Sequence, residues 1–170
     1  MQGKIALEEH VGVPETLADS AIFVPADHWQ ELQARLLDIH ERRLRLMDAH
    51  GIEMTVLSLN APTVQAIPEA ERAEELARRT NDFLAEQVAR RPQRFQAFGA
   101  LPLQDPERAS GELRRCMLDL GFRGVLVNGF SDAMVQGNRV PLYYDMSQYE
   151  PFWAEPNAVT RRSIYIRATR

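Results

Sequence analysis

The sharpest chemical pair in the chain is Glu8 and His10, which close the short apolar run Lys4-Ile5-Ala6-Leu7. Residues two apart leave the same face of an extended strand. Ala6, Glu8 and His10 are therefore expected on one face, with Ile5 and Leu7 turned the other way toward a helix layer. A carboxylate beside an imidazole suits a divalent transition metal such as zinc or manganese. The competing reading is an ordinary hydrogen-bonded Glu-His pair at a strand terminus, and two ligands do not complete a metal site. Ser58, Asn60 and Asn128 stand near the ends of later apolar runs. Asn128 either orients a ligand or bonds to the loop backbone. His28, His40 and His50 lie at or within a helical stretch, where caps and surface contacts account for them. Cys116 falls on a helical apolar stripe and reads as a buried small hydrophobe. Glycine-rich phosphate cradles and serine nucleophile motifs are absent.

These residues need elements to position them. Apolar spacing of three and four predicts a helix from about Trp29 to His50, capped by Asp27 and stopped by Gly51. A second is expected from about Glu69 to Arg91, with Ala73, Leu76, Phe83 and Val88 on its apolar stripe. A third begins at Asp105-Pro106, a cap followed by proline in the first helical position, and ends at Gly121. Between them lie runs with strand character: Lys4 to His10, Met54 to Leu59, Phe95 to Leu101 and Gly124 to Val127. Strands alternating with helices imply an α/β fold with a parallel sheet and right-handed crossovers. Ligands of such sheets bind beyond the carboxyl ends of the strands, where Glu8, His10, Asn60 and Asn128 all fall. The stretch Val11 to Asp27 is long for a connecting loop and is a candidate functional loop. The junctions Asp48-Ala49-His50-Gly51 and Asp119-Leu120-Gly121 each lead through an apolar strand to an asparagine, as a repeated α-to-β unit would.

Composition narrows the function. The chain has 170 residues, 45% hydrophobic and 26% charged, with a net charge of −4, which gives no basic footprint for nucleic acid. A single cysteine excludes a disulfide framework and fits a reducing cytoplasm. No apolar run approaches the roughly 20 residues that span a bilayer, and the N-terminus lacks a signal segment. A cytoplasmic protein without membrane or nucleic-acid partners is expected. The only lysine is Lys4, and four arginines fall in the last ten residues.

Longer phrases carry a resemblance. The opening Met-Gln-Gly-Lys-Ile-Ala-Leu-Glu-Glu-His, the stretch from Arg43 to Glu53, and Leu-Ser-Leu-Asn-Ala-Pro from Leu57 belong to it. So do Ala-Leu-Pro-Leu-Gln-Asp-Pro from Ala100, the stretch from Leu120 to Phe130, and Pro-Leu-Tyr-Tyr-Asp from Pro141. Over residues 1–155 the chain resembles the amidohydrolase-superfamily decarboxylases of ortho-hydroxybenzoic acids. The resemblance implies the N-terminal half of a (β/α)8 TIM barrel with one divalent metal, zinc or manganese. It also implies homo-oligomeric assembly and non-oxidative, reversible decarboxylation of a small aromatic hydroxy acid of the 2,6-dihydroxybenzoate type. By that resemblance Glu8 and His10 are metal ligands, and Phe23 and Asn128 lie at the substrate.

The pattern departs after about Glu155. Where the family has a fifth strand ending in a metal-binding histidine, this chain has Ser163-Ile164-Tyr165-Ile166-Arg167. The third ligand and the proton-donating aspartate are missing, so no complete catalytic set is expected here. Residues 156–170 read as a divergent Arg-rich tail, from a shifted reading frame or a gene fragment. The expectation is an enzyme by descent whose isolated chain is inactive. The alternatives are another metal-dependent amidohydrolase, a non-catalytic half-barrel that pairs through its open edges, or a small binding domain reusing the sheet.

Overall fold

The computed structural model describes residues 3–21, 24–159 and 165–166. Five parallel strands stand side by side in chain order: β1 (Lys4–Val11), β2 (Ile52–Leu59), β3 (Phe95–Gly99), β4 (Gly124–Val127) and β7 (Tyr165–Ile166). Neighbours in space are neighbours in sequence, as in a barrel wall and not as in a doubly wound sheet, whose order reverses. Helices α1 (Pro14–Ser20), α2 (Ala26–Leu37), α3 (Arg42–His50), α4 (Ala70–Arg90), α5 (Pro106–Leu118) and α6 (Glu150–Val159) fill the connections. The fold is the N-terminal half of a TIM barrel. An antiparallel hairpin of β5 (Phe130–Val135) and β6 (Asn138–Tyr143) rises after β4.

Local chemistry explains most boundaries. The Asp105 side chain accepts from the N–H groups of Glu107 and Arg108 at 2.9 and 3.1 Å, and Pro106 opens α5, as a cap followed by proline should. Gly51 and Gly121, the two junction glycines, both adopt left-handed φ, +65° and +67°. Open space surrounds a side chain at either position, so the backbone angle alone asks for glycine. The helix expected from Trp29 to His50 is in fact two, α2 and α3. Asp38 ends the first in extended conformation, and its carboxylate caps the second through the N–H groups of Glu41 and Arg42. The long Val11–Asp27 connection contains α1.

A second correction concerns β1. Ala6 pairs with Thr55 but Glu9 pairs with Leu57, so three steps along β1 match two along β2. This bulge includes Glu8, whose φ is +56°. Paired residues of parallel strands share a face. Ala6 therefore shares the face of Thr55 and Leu57, which packs on the helices, whereas His10 shares the opposite face with Ser58. Ile5, paired with Met54, lies on the His10 face and not toward the helices. Ile5 and Leu7 are 59% and 52% exposed.

Most of the core lies on the helix side. Leu57, Leu84, Phe95, Ala97 and Phe122 form one cluster there, and Leu113, Val125, Val127, Tyr149 and Phe152 another. The opposite face contributes the small cluster Val56, Phe98 and Leu126. Among the described residues no helix is long and apolar enough to cross a membrane. Among the described residues β1 is an edge strand, and exposed Ile5 and Leu7 beside it make that edge a template for association. The chain expressed alone should elute above monomer mass, and the double substitution Ile5→Lys, Leu7→Lys should move it toward monomer. A sharp wild-type monomer peak at micromolar concentration would show that this edge is already protected.

Candidate active site

Parallel strands deliver their carboxyl ends to one edge of the sheet. His10 lies near the end of β1, Ser58 and Asn60 at the end of β2, and Asn128 just past β4. Ser58 and His10 are partners in the ladder, and the serine Oγ lies 2.9 Å from His10 Nδ1. Metal-binding histidines usually engage their second ring nitrogen in this way, which fixes the tautomer and ring orientation. Sequence reasoning named Ser58 without pairing it to His10; the pairing follows once the register is known.

Behind the pair stands Arg43, from α3. Its Nη2 donates to the backbone oxygen of His10 at 2.6 Å, and its Nη1 reaches the carboxylate of Glu9 at 3.1 Å. Burial lowers the pKa of this guanidinium from its ordinary value, with Glu9 and Asp38 pulling the other way. Glu9 is thus engaged with the helix layer, leaving Glu8 as the carboxylate of the bulge. Glu8 is half-buried. Left-handed backbone at a non-glycine residue costs about 1–2 kcal/mol and is kept only where the surroundings impose it.

The expected pair does not make a complete metal centre by itself. Among the described residues no group of three or more His, Cys, Asp or Glu side chains could hold an ion. A carboxylate, an imidazole and an orienting hydroxyl fit part of a divalent site, and further ligands must come from elsewhere. Phe23, expected at the substrate, lies outside the described residues, as does Arg167.

Asn60 is buried, and its N–H donates to the Val11 oxygen at 3.0 Å, extending the ladder by one step. Its Nδ2 donates to Ser20 Oγ at 2.5 Å, and Ser20 donates in turn to Ala61 O at 3.0 Å, tying α1 to the end of β2. Asn128 is held by Gln65, a residue that sequence reasoning missed. Asn128 donates to Gln65 Oε1 from its backbone N at 3.0 Å and from Nδ2 at 2.7 Å. Gln65 Nε2 donates to the oxygens of Asn128 and Phe130 at 3.3 and 3.2 Å and to the Tyr144 hydroxyl. Burial pushes the Tyr144 phenol up, so it stays neutral in this network. Asn60, Gln65 and Asn128 line a cavity of about 20 Å³, room for one water.

His40 bonds to Gln87 at 3.0 Å, His28 is exposed beside Asp27, and the His50 carbonyl accepts from Lys4. None of the three joins the site. Cys116 is buried and unpaired, and burial pushes its thiol well up, away from nucleophilic chemistry.

With this geometry in hand, likeness to known proteins becomes informative. The family profile described as amidohydrolase matches residues 23–155. A γ-resorcylate decarboxylase of Rhodococcus jostii strain RHA1 is 67% identical over 156 residues, covering 91% of this chain and 47% of that protein. The solved structure of a 2,6-dihydroxybenzoate decarboxylase bound to 2,6-dihydroxybenzoate superposes with a TM-score of 0.94 at 60% identity, over 100% of this chain and 52% of that one. A dihydroxybenzoic acid decarboxylase of Polaromonas sp. JS666, solved with manganese and the inhibitor 2-nitroresorcinol, gives 0.93 at 59% identity, over 100% and 50%. The chain spans about half the length of the relatives it matches.

The bulge itself is open to test. Glu8→Ala and Glu8→Gly both remove the carboxylate, but only glycine takes the left-handed backbone without strain. Glu8→Gly should exceed Glu8→Ala in unfolding free energy by about 1 kcal/mol in urea titrations. Equal stabilities, or the reverse order, would mean that the position is not left-handed in solution.

Proposed function

Since the chain belongs to the amidohydrolase family, we propose that it carries the N-terminal half of the active site of a metal-dependent, non-oxidative decarboxylase of ortho-hydroxybenzoic acids, of the 2,6-dihydroxybenzoate type. One observation carries the reading. Alongside close sequence likeness to γ-resorcylate decarboxylases, His10 stands at the sheet's carboxyl edge with Ser58 at its Nδ1.

In this reading Glu8 and His10 are two of the metal ligands, and Phe23 and Asn128 meet the substrate. A bound zinc or manganese ion would neutralise the substrate's carboxylate and neighbouring phenolate. With Ser58 bonded to Nδ1, a metal would be taken at Nε2 of His10. Arg43 holds the His10 carbonyl and so keeps the bulged strand in place. The carbon–carbon bond to the carboxylate breaks, carbon dioxide leaves, and the ring carbon takes up a proton. The resemblance assigns the donor of that proton, and the remaining ligands, to the part of the barrel that this chain does not span. Residues 156–170 are read as a divergent tail, in which the sequence has Arg167 where the resemblance calls for a metal-binding histidine. A reducing cytoplasm suits the unpaired Cys116, and a homo-oligomer suits the exposed β1 edge.

A second reading, a non-catalytic half-barrel that associates with another chain, is favoured by the exposure of Ile5 and Leu7 beside that edge. One experiment separates the two. The 170-residue chain alone should release no carbon dioxide from 2,6-dihydroxybenzoate above background, with manganese or zinc. Co-expressed with the C-terminal half of the Rhodococcus jostii relative, it should gain metal-dependent release. Glu8→Gln or His10→Ala in this chain should then lower that rate by about a hundredfold or more. A folded, co-purifying pair without activity would leave the non-catalytic reading standing.

A further inference from the structure

The hydrogen bonds around Gln65 and Asn128 allow only one arrangement of donors and acceptors. A backbone N–H can only donate, so the Gln65 atom that meets the Asn128 N–H at 3.0 Å is its oxygen. The backbone oxygens of Asn128 and Phe130 can only accept, which makes the other end of Gln65 its nitrogen. Gln65 Oε1 is then an acceptor, so the Asn128 side-chain atom 2.7 Å away is the amide nitrogen. Asn128 Oδ1 is thereby turned away from Gln65. It is buried, and no donor among the described residues meets it. Both residues line the cavity that has room for one water.

We propose that Gln65 is a positioning residue that leaves Asn128 only its carbonyl oxygen to offer, so that the adjoining cavity accepts a neutral ring hydroxyl as a hydrogen-bond donor and discriminates against a phenolate or other acceptor-only group. This rests on reading the substrate as an ortho-hydroxybenzoic acid. A ligand hydroxyl would supply Asn128 Oδ1 with the hydrogen that no donor among the described residues gives it. Gln65 also spans three elements: the turn after β2, the exit of β4, and the β5–β6 hairpin through Tyr144 and Ser131, whose hydroxyls lie 2.8 Å apart. Docking of the hairpin and orientation of Asn128 are therefore one structural event.

Two measurements test this. In asparagine-labelled protein without ligand, the Asn128 side-chain amide protons should exchange at least about tenfold more slowly than those of exposed Asn138, and Gln65→Met should remove that protection. Exchange as fast as Asn138 in the wild type would overturn the lock. With this chain assembled with the C-terminal half of the Rhodococcus jostii relative and manganese present, titrations should compare 2,6-dihydroxybenzoate with 2-fluoro-6-hydroxybenzoate, which replaces one donor by an acceptor of similar size. The wild type should prefer the hydroxyl by about tenfold, and Gln65→Met should cut that preference to about threefold or less. Comparing variants cancels the intrinsic difference between the two ligands. A preference unchanged in folded Gln65→Met would overturn the selectivity. If neither ligand binds the assembled wild-type pair, the decarboxylase reading fails, and the lock stands or falls on the exchange measurement.

Discussion

Where a parallel strand runs out, its terminal N–H and C=O groups lose their ladder partners, and buried groups of this kind must be satisfied some other way. This chain meets that demand with side-chain carboxamides that imitate a neighbouring strand. Asn81 of α4 accepts from the N–H of Ala100 and donates to its C=O, both at 2.9 Å. Gln65 does the same for Asn128, at 3.0 and 3.3 Å. The two served residues stand just past β3 and β4, so the surrogate pairing occurs at the edge where ligands of this fold class bind. Gln104 adds a third case, donating to Val64 O and Ile67 O at 2.7 Å and fixing the turn that carries Gln65. The candidate site inherits its rigidity from these amides rather than from the sheet itself.

Each surrogate is held in turn. Asn81 spends its second amide hydrogen on Glu112 Oε1 at 2.7 Å. Glu112 is a buried carboxylate, and Arg115 reaches it through Nε and Nη2 at 2.9 and 2.8 Å. Arg78 reaches the same carboxylate at 3.4 Å, so its buried charge is met from two helices. The same helix, α5, presses closely on β3: a Cβ at Gly99 would come within 2.7 Å of Cys116 Sγ. Gly99 and Cys116 thus explain each other, since a small strand residue admits a thiol that is packed too deeply to react.

Much of the architecture was legible in the sequence because it is written locally. Asp105-Pro106 marks a helix start wherever it occurs, Gly51 and Gly121 mark left-handed stops, and the four apolar runs fall where strands are found. What escaped was non-local or disguised. The phrase Lys-Ile-Ala-Leu-Glu-Glu-His contains no glycine or proline to announce an inserted residue, so a period of two was read straight through the bulge. Ile39 keeps the helical phase between Leu36 and Leu44, which hid the break made by the Asp38 carboxylate. Gln65 finds its partners 63 and 79 residues away, and nothing in Thr-Val-Gln-Ala distinguishes it from an ordinary loop glutamine. Glu8 and His10 could be singled out because their chemistry is unusual at a strand end; their supports, Ser58 and Arg43, depend on register and packing.

The register also separates folding from chemistry within a single strand. Leu57 and Ser58 are consecutive in β2 and both fully buried, yet they face opposite ways. Leu57 joins Met47, Leu84 and Phe95 in the helix-side core, where deleting a large side chain costs about 2–5 kcal/mol. Ser58 faces the other side and meets His10, so its loss removes an orienting bond and little apolar area. The bulge in β1 is what allows this pairing. Without the extra residue, the register set by Ala6 and Thr55 would pair Glu9 with Ser58 and His10 with Leu59, turning the imidazole into the helix layer. A single strained residue at position 8 therefore decides which face of the sheet carries the histidine, and the left-handed backbone there is the local cost of directing His10 toward Ser58.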